Sequence, residues 1–331
     1  MKPETIRVVI TGASSGIGAA TAIAFARQGA SLLLGARGEE GLADVARRCR
    51  EAGGRADFAL VDVTDADAVA RFARRARQVL GGIDLWFSNV GIGAVGKYLD
   101  VPIADHHRVI DANLVGHMND AYAVLPIFRD QGHGIWVNMI SVGGFIASPY
   151  AAAYTASKFA LRGFSQALRG ELHDYPNIHV CDVYPTFVDT PAIYHAANYS
   201  GARLKMPPGA MAPERVAEAL VALARKPRAT TVVGAPASAL ALGQFAAPVT
   251  ASLMDRFMDR WTRRAPPAAD TSGTFYVPPV GASGIRSGMR GGGSDAGAGA
   301  VTGGAGQNKA ALALGATLLA ALGLQLLRRR T

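Results

Sequence analysis

The chain has 331 residues, half of them hydrophobic, which allows one large domain or two small ones with an ample buried core. Its two cysteines, Cys49 and Cys181, argue against a disulfide framework or a cysteine-based zinc site, and the seven scattered histidines form no metal constellation. The net charge of +9 lies mostly late, with ten Lys/Arg against four Asp/Glu from residue 250 onward; no aromatics interleave with it and no nucleic-acid motif appears, so a membrane surface fits better than DNA.

The first residues are polar and lead into an apolar run at 6–10, the pattern of a strand rather than a signal peptide, so this part of the chain is expected in the cytoplasm. Runs at 6–10, 31–35, 56–61 and 83–88 read as buried strands, and 17–28, 39–52 and 65–80 have helical composition between them. That alternation implies an α/β fold, a parallel sheet with helices on both faces. Further strands are expected at 134–140, 179–184 and 230–233, and further helices at 105–130, 152–173 and 213–225. The adjacent His106 and His107 fall on the first of these helices and read as a solvated turn.

A helical run at 239–264 ends in a basic amphipathic stretch, expected to pack on the domain or on a partner subunit. Residues 265–308 are rich in Gly, Ala, Ser and Pro and read as a flexible linker. Residues 310–327 are mostly Ala and Leu, followed by Arg328, Arg329 and Arg330. As a helix this tail would span ~27 Å, just under a hydrocarbon core. Spanning would carry the arginines across the membrane, whereas lying in the interface would set them on anionic headgroups.

Three motifs carry chemistry. Thr11, Gly12, Ser14, Ser15, Gly16, Ile17 and Gly18 follow the first strand and open the first helix, where N–H groups can cradle a pyrophosphate. The spacing is Gly-x-x-x-Gly-x-Gly rather than Gly-x-Gly-x-x-Gly. Arg37, at the end of the second strand, suits a 2′-phosphate and therefore NADP(H) over NAD(H). Tyr154 and Lys158 stand one helical turn apart. An ammonium ~4 Å from the phenol would favour phenolate by up to about 4 kcal/mol at an effective dielectric of 20, which makes the pair a device for moving protons near neutrality.

Together these motifs resemble the short-chain dehydrogenase/reductase family, in its short single-domain branch, over roughly residues 5–235. The resemblance implies a single Rossmann-like doubly wound domain, taken over 1–264; composition adds the linker 265–308 and a hydrophobic, basic tail helix 309–331 as a candidate membrane anchor. Asp62 and Val63 match the pair that contacts adenine, and Asn89, Val90 and Gly91 match most of an Asn-Asn-Ala-Gly segment, with Ser88 and Val90 as departures. Asn113, Ser141, Tyr154 and Lys158 fall where the family's catalytic tetrad falls. Pro185 and Thr190 match cofactor-contacting positions, with Thr186 replacing a glycine.

The family mechanism gives Tyr154 the proton transfer and Ser141 the substrate oxygen. Lys158 takes the nicotinamide ribose and Asn113 a relay water. The implied activity is reduction of an apolar ketone or aldehyde, or the reverse oxidation, in a homo-oligomer. The rivals are a 3-oxoacyl-carrier-protein reductase and a membrane-tethered NADP(H)-binding scaffold or redox sensor. Residues 187–211 and 142–150, with Phe187, Tyr194 and Phe145, are expected to wall a lipophilic pocket.

Overall fold

The computed structural model describes residues 5–207, 209–235, 247–279, 281 and 284–287. Seven parallel strands form the central sheet: β1 (Arg7–Thr11), β2 (Ser31–Ala36), β3 (Arg55–Leu60), β4 (Leu85–Ser88), β6 (Gly134–Met139), β7 (Ile178–Pro185) and β9 (Thr230–Val233), in spatial order β3-β2-β1-β4-β6-β7-β9. The small strands β5 (Ala94–Val95) and β8 (Ala197–Asn198) pair separately, in parallel.

The strands are apolar almost throughout because both sheet faces are covered. Alternation divides them: Val8, Ile10, Leu32 and Leu34 enter one buried layer, while Val9, Leu33 and Trp86 enter the other. The first layer is closed by helices α1 (Gly16–Ala26), α2 (Glu39–Glu51) and α8 (Pro213–Arg225). The second is closed mainly by α3 (Ala66–Leu80), which supplies Phe72, and α5 (Gly116–Gln131), which supplies Phe128. Local signals set the helix ends. Asp65 caps α3 by accepting from the Ala68 N–H at 2.9 Å, and Gly81 ends it in the left-handed region at φ +74°.

The helix expected over 105–130 is interrupted. It divides into α4 (Ile103–Ile110), a π-helical turn at Asp111–Val115, and α5. The turn inserts one residue into the helical ladder and presents Asn113 to the site, a use π-bulges often have. The expected helix at 152–173 is α6 (Ala152–Glu171), and a short α7 (Ala192–His195) interrupts the loop after β7. His106 is not solvated as expected: it is buried, stacked on Tyr98 at 4.5 Å, with Nε2 3.0 Å from the Tyr98 carbonyl.

The last described helix, α9 (Ala247–Arg264), docks through Asp259, which accepts from the Tyr150 hydroxyl at 2.5 Å and lies 3.2 Å from Lys97 Nζ. The chain then returns over the domain. Bridges join Pro267 to Ala202 and Thr271 to Asn198, and Phe275 is 0 % exposed. The described part of the expected linker is therefore a packed strap. Its prolines favour extended backbone, and one aromatic side chain anchors it where average composition promised little burial. No helix among the described residues is long and apolar enough to cross a membrane, and the tail helix expected at 310–327 lies outside them.

The sheet order reverses between β1 and β4, which opens a crevice at the carboxyl ends of those strands. Gly18 fixes the turn on its floor, since a Cβ there would stand 2.1 Å from the Gly12 carbonyl oxygen. Because that contact is backbone, Gly18→Ala is expected to destabilise the protein by about 2–3 kcal/mol, read as a lower urea midpoint with unchanged slope. An unchanged midpoint would show that the turn has room for a side chain.

Candidate active site

The glycine turn lies between β1 and α1. Gly12 (φ +71°) and Gly16 (φ +55°) hold conformations that L side chains rarely adopt. The Asn89 amide donates to the Gly12 carbonyl at 3.0 Å and ties the turn to the end of β4. Thr11 departs from the expectation of a cofactor contact: its hydroxyl points down and donates to Asp120 at 2.6 Å, bracing the turn from beneath. Burial pushes the Asp120 carboxyl up to about 7. Ser14, Ser15 and Ile17 are only partly covered and face the crevice rim with Gly12.

The turn fits a dinucleotide on the evidence of its own backbone. Side chains at Gly12, Gly16 or Gly18 would meet protein within 3.2 Å, so the turn carries none at these positions, and α1 begins there with its N-terminal N–H groups. At the β2 end, Arg37 is joined by Arg108 from α4, whose Nη2 donates to Asp62 at 3.0 Å and Nη1 to the Thr64 hydroxyl at 3.0 Å. Burial raises the Asp62 carboxyl, but hydrogen bonds from Thr64 and Arg108 outweigh it and hold Asp62 below its ordinary value. Two arginines against one aspartate leave this corner positive. Val63 is buried beside Gly116 and shapes the wall from behind.

On the other side of the crevice, Ser141, Tyr154 and Lys158 converge. Ser141, two residues after β6, has φ +143°, a strained conformation for serine, with its Oγ accepting from the Gly143 N–H at 3.1 Å. The Tyr154 phenol and the Ser141 hydroxyl border one space, since a Cβ on Gly143 would lie 3.3 Å from the Tyr154 ring and 3.5 Å from Ser141 Oγ. Gly93 and Gly143 flank the Tyr154 ring and keep it unobstructed, since a Cβ on either would reach to 3.8 Å and 3.3 Å of it. Lys158, one turn along α6, is buried, with Nζ donating to the Met139 carbonyl at 3.0 Å and lying 5.7 Å from the Tyr154 ring centroid. A Cβ on Gly91 would lie 3.8 Å from the same Nζ, so Lys158 borders the segment Asn89–Gly91.

The electrostatics differ from the sequence expectation. Burial pushes Lys158 down to about 7. Tyr154 is raised by burial, against which the Ser141 hydrogen bond works. A phenol lowered by a permanent ammonium at ~4 Å is thus not the resting arrangement. Asn113 differs as well. Its amide donates to the Ile92 carbonyl at 2.9 Å and to the Ser157 hydroxyl at 3.1 Å, and its oxygen accepts from the Ile92 N–H at 2.8 Å. Both amide hydrogens are engaged, so the side chain clamps Ile92.

Sequence reasoning missed Arg108 and His117. His117 is wholly buried, and burial, with the Lys158 charge, lowers it to about 4. Both ring nitrogens face oxygens, Nε2 the Val90 carbonyl at 2.7 Å and Nδ1 the Asn138 Oδ1 at 2.6 Å, and the neutral ring donates to one of them. It holds Val90 without adding a second charge beside Lys158. Neither residue belongs to a short motif; only the π-helical break in 103–131, which points both ends of this helix at the crevice, could have indicated them.

Pro185 and Thr190 are buried at the end of β7, and Thr190 lies over Gly16, whose added Cβ would stand 3.2 Å from the threonine Cβ. Thr186 keeps the strand pairing, donating its N–H to the Val233 carbonyl at 3.0 Å. Of the expected pocket walls, Phe187 and Tyr194 are exposed on the loop after β7, whereas Phe145 packs on Tyr184 at 4.8 Å and under Arg162 at 4.1 Å.

Known proteins give the same reading at the level of family. The family model for short chain dehydrogenase matches residues 7–198. An uncharacterized oxidoreductase of Bacillus subtilis, YxnA, is 33% identical over 258 residues, covering 76% of this chain and 72% of the relative. The probable oxidoreductase EphD of Mycobacterium tuberculosis is 33% identical over 247 residues, 70% of this chain but only 42% of its own length. Mouse dehydrogenase/reductase SDR family member 7 is 34% identical over 193 residues, 57% of each chain. Among solved structures, the alcohol dehydrogenase from the archaeon Thermococcus sibiricus complexed with 5-hydroxy-NADP superposes with a TM-score of 0.61 at 27% identity, covering 69% of this chain and 96% of that one. With the parallel sheet, the glycine turn and the Ser141–Tyr154–Lys158 cluster, these matches establish that the chain belongs to the short-chain dehydrogenase family of NAD(P)-dependent oxidoreductases.

Proposed function

We propose that this protein reduces an apolar ketone or aldehyde with NADPH, using Tyr154 as the acid. The observation that carries the reading is the meeting, on either side of one crevice, of a glycine turn without side chains and the adjacent Tyr154 and Ser141 beside Lys158. When bound, the nicotinamide supplies the hydride. Gly12, Ser14, Ser15, Gly16, Ile17 and Gly18 would hold the pyrophosphate, and Asn89, Val90, Gly91, Pro185 and Thr190 the nicotinamide end.

The remaining chemistry belongs to the chain. Ser141 would donate a hydrogen bond to the substrate oxygen and fix the carbonyl against Tyr154. As the carbonyl carbon takes hydride, its oxygen would take the Tyr154 phenolic proton, leaving an alcohol and a tyrosinate. Lys158, when protonated, stabilises that tyrosinate and donates to ribose hydroxyls. The exposed Phe187 and Tyr194 support an apolar substrate. NADPH is favoured over NADH by Arg37 and Arg108 around Asp62, and the NADP analogue in the archaeal alcohol dehydrogenase agrees with that preference.

Three outcomes test this reading. Tyr154→Phe is expected to lower NADPH-dependent carbonyl turnover by about a hundred- to ten-thousand-fold, with NADPH affinity nearly unchanged. Unchanged turnover across a ketone and aldehyde panel would refute it. Arg37→Ala should raise KM for NADPH about tenfold relative to KM for NADH, since only the former carries the 2′-phosphate. Equal effects on both would show that Arg37 does not read the phosphate.

The third outcome concerns pH. Lys158 is held near 7 in the free protein, protonated below that value and neutral above it. NADPH affinity should therefore weaken as pH rises through about 7, and Lys158→Met should remove that component; a dependence that survives the substitution would assign it elsewhere.

A further inference from the structure

The strap that follows α9 runs directly over the crevice. Thr271 bridges Asn198, the Thr274 N–H donates to the His195 carbonyl at 3.1 Å, and Phe275 is buried among Ala94, Val109 and Ala197, beside Tyr154. The Tyr276 hydroxyl donates to Asp105 at 2.6 Å. Further along, Ile285 is buried in the layer that contains α1, the Ser287 hydroxyl donates to Asp189 next to Thr190, and Arg286 pairs with Glu214 at 3.1 Å.

Between these anchors the strap engages the groups that a dinucleotide needs. Arg37 donates from Nη1 to the Phe275 carbonyl at 2.8 Å and from Nη2 to the Thr274 carbonyl at 2.7 Å. Arg108 Nε donates to the Phe275 carbonyl at 3.3 Å. The Gly16 N–H, inside the glycine turn, donates to the Gly284 carbonyl at 3.1 Å. Backbone carbonyls thus stand where phosphate oxygens would accept: two on the 2′-phosphate arginine and one on the pyrophosphate turn.

From these contacts we propose that residues 273–279 and 284–287 are an autoinhibitory strap, an intramolecular competitor that must leave Arg37 and Gly16 before NADPH binds. The proposal rests on the cofactor reading given above. A neutral carbonyl is a weaker acceptor for a guanidinium than a phosphate dianion, so the ligand can displace it. The strap compensates by being tethered, which gives it a high effective concentration at the groove. The affinity measured for NADPH is then the intrinsic one reduced by the fraction of molecules with the strap released. Weakening an anchor raises that fraction, and fixing the strap in place abolishes it.

The geometry supplies a reversible lock. A Cβ added at Gly38 would lie 3.8 Å from the Pro278 Cβ, close to the separation of about 3.8 Å that a disulfide favours. Gly38 has φ −94°, which any residue can adopt, and the native Cys49 and Cys181 are buried away from exchange. The test is the full chain carrying Gly38→Cys and Pro278→Cys, with bond formation followed by thiol counting and NADPH binding by nucleotide fluorescence.

The bond is expected to form under mild oxidation, and the oxidised form to bind NADPH about tenfold or more weakly than the same protein after reduction. Phe275→Ala, in the otherwise unaltered chain, should bind NADPH about fivefold more tightly. Failure of the bond to form, or equal or tighter binding in the oxidised state, overturns the strap proposal and leaves the cofactor site standing. A reduced form that binds neither NADPH nor NADH overturns the cofactor reading and the strap proposal together.

Discussion

Lys158 lies almost wholly inside the protein, with its Nζ on the Met139 carbonyl and its pKa drawn down to about 7 by burial. An ammonium in such a place is expensive unless oxygens surround it. The neighbouring elements reduce that cost without filling the space. Asn113 clamps Ile92, and neutral His117 holds Val90, so the segment from Asn89 to Ile92 is fixed beside Nζ with no further positive charge. The π-helical turn between α4 and α5 exists at the point where Asn113 must reach that segment.

The state of Tyr154 follows from that of Lys158. With the amine near its midpoint, burial dominates the phenol and raises it. In the proposed reaction, full activation of Tyr154 would need Lys158 to be charged, and ribose hydroxyls and phosphates are the partners that would favour the charged form. Proton transfer is in this way tied to occupancy of the crevice. The strap over Arg37 and Gly16 sets a condition one step earlier, on entry itself. Both devices use one principle: polar groups buried at the site are satisfied provisionally by the protein and more strongly by a ligand.

Much of the fold was readable because parallel strands covered on both faces appear as continuous apolar runs, and all seven expected strands fall in the sheet. The motif residues were readable because glycine spacing and the Tyr154–Lys158 spacing are local. What escaped was non-local. Thr11 looked like a cofactor contact until Asp120, far along the chain, claimed its hydroxyl. Arg108 and His117 lie on a helix whose break gives no compositional signal. The segment 265–308 read as linker because it is rich in Gly, Ala, Ser and Pro, yet burial of Phe275 and Ile285 suffices to seat its described residues. Average composition cannot show that one or two anchors fall opposite matching pockets.

The coupling between Lys158, Tyr154 and the crevice is the centre of this account. The most direct test is an ultraviolet difference titration of tyrosinate in the full protein, with and without saturating NADP+, in the native chain and in Tyr154→Phe. NADP+ is expected to bring one tyrosine well below the ordinary phenol value of about 10, and the substitution to remove this ionisation. A tyrosine titration that NADP+ leaves unmoved in the native chain would contradict it.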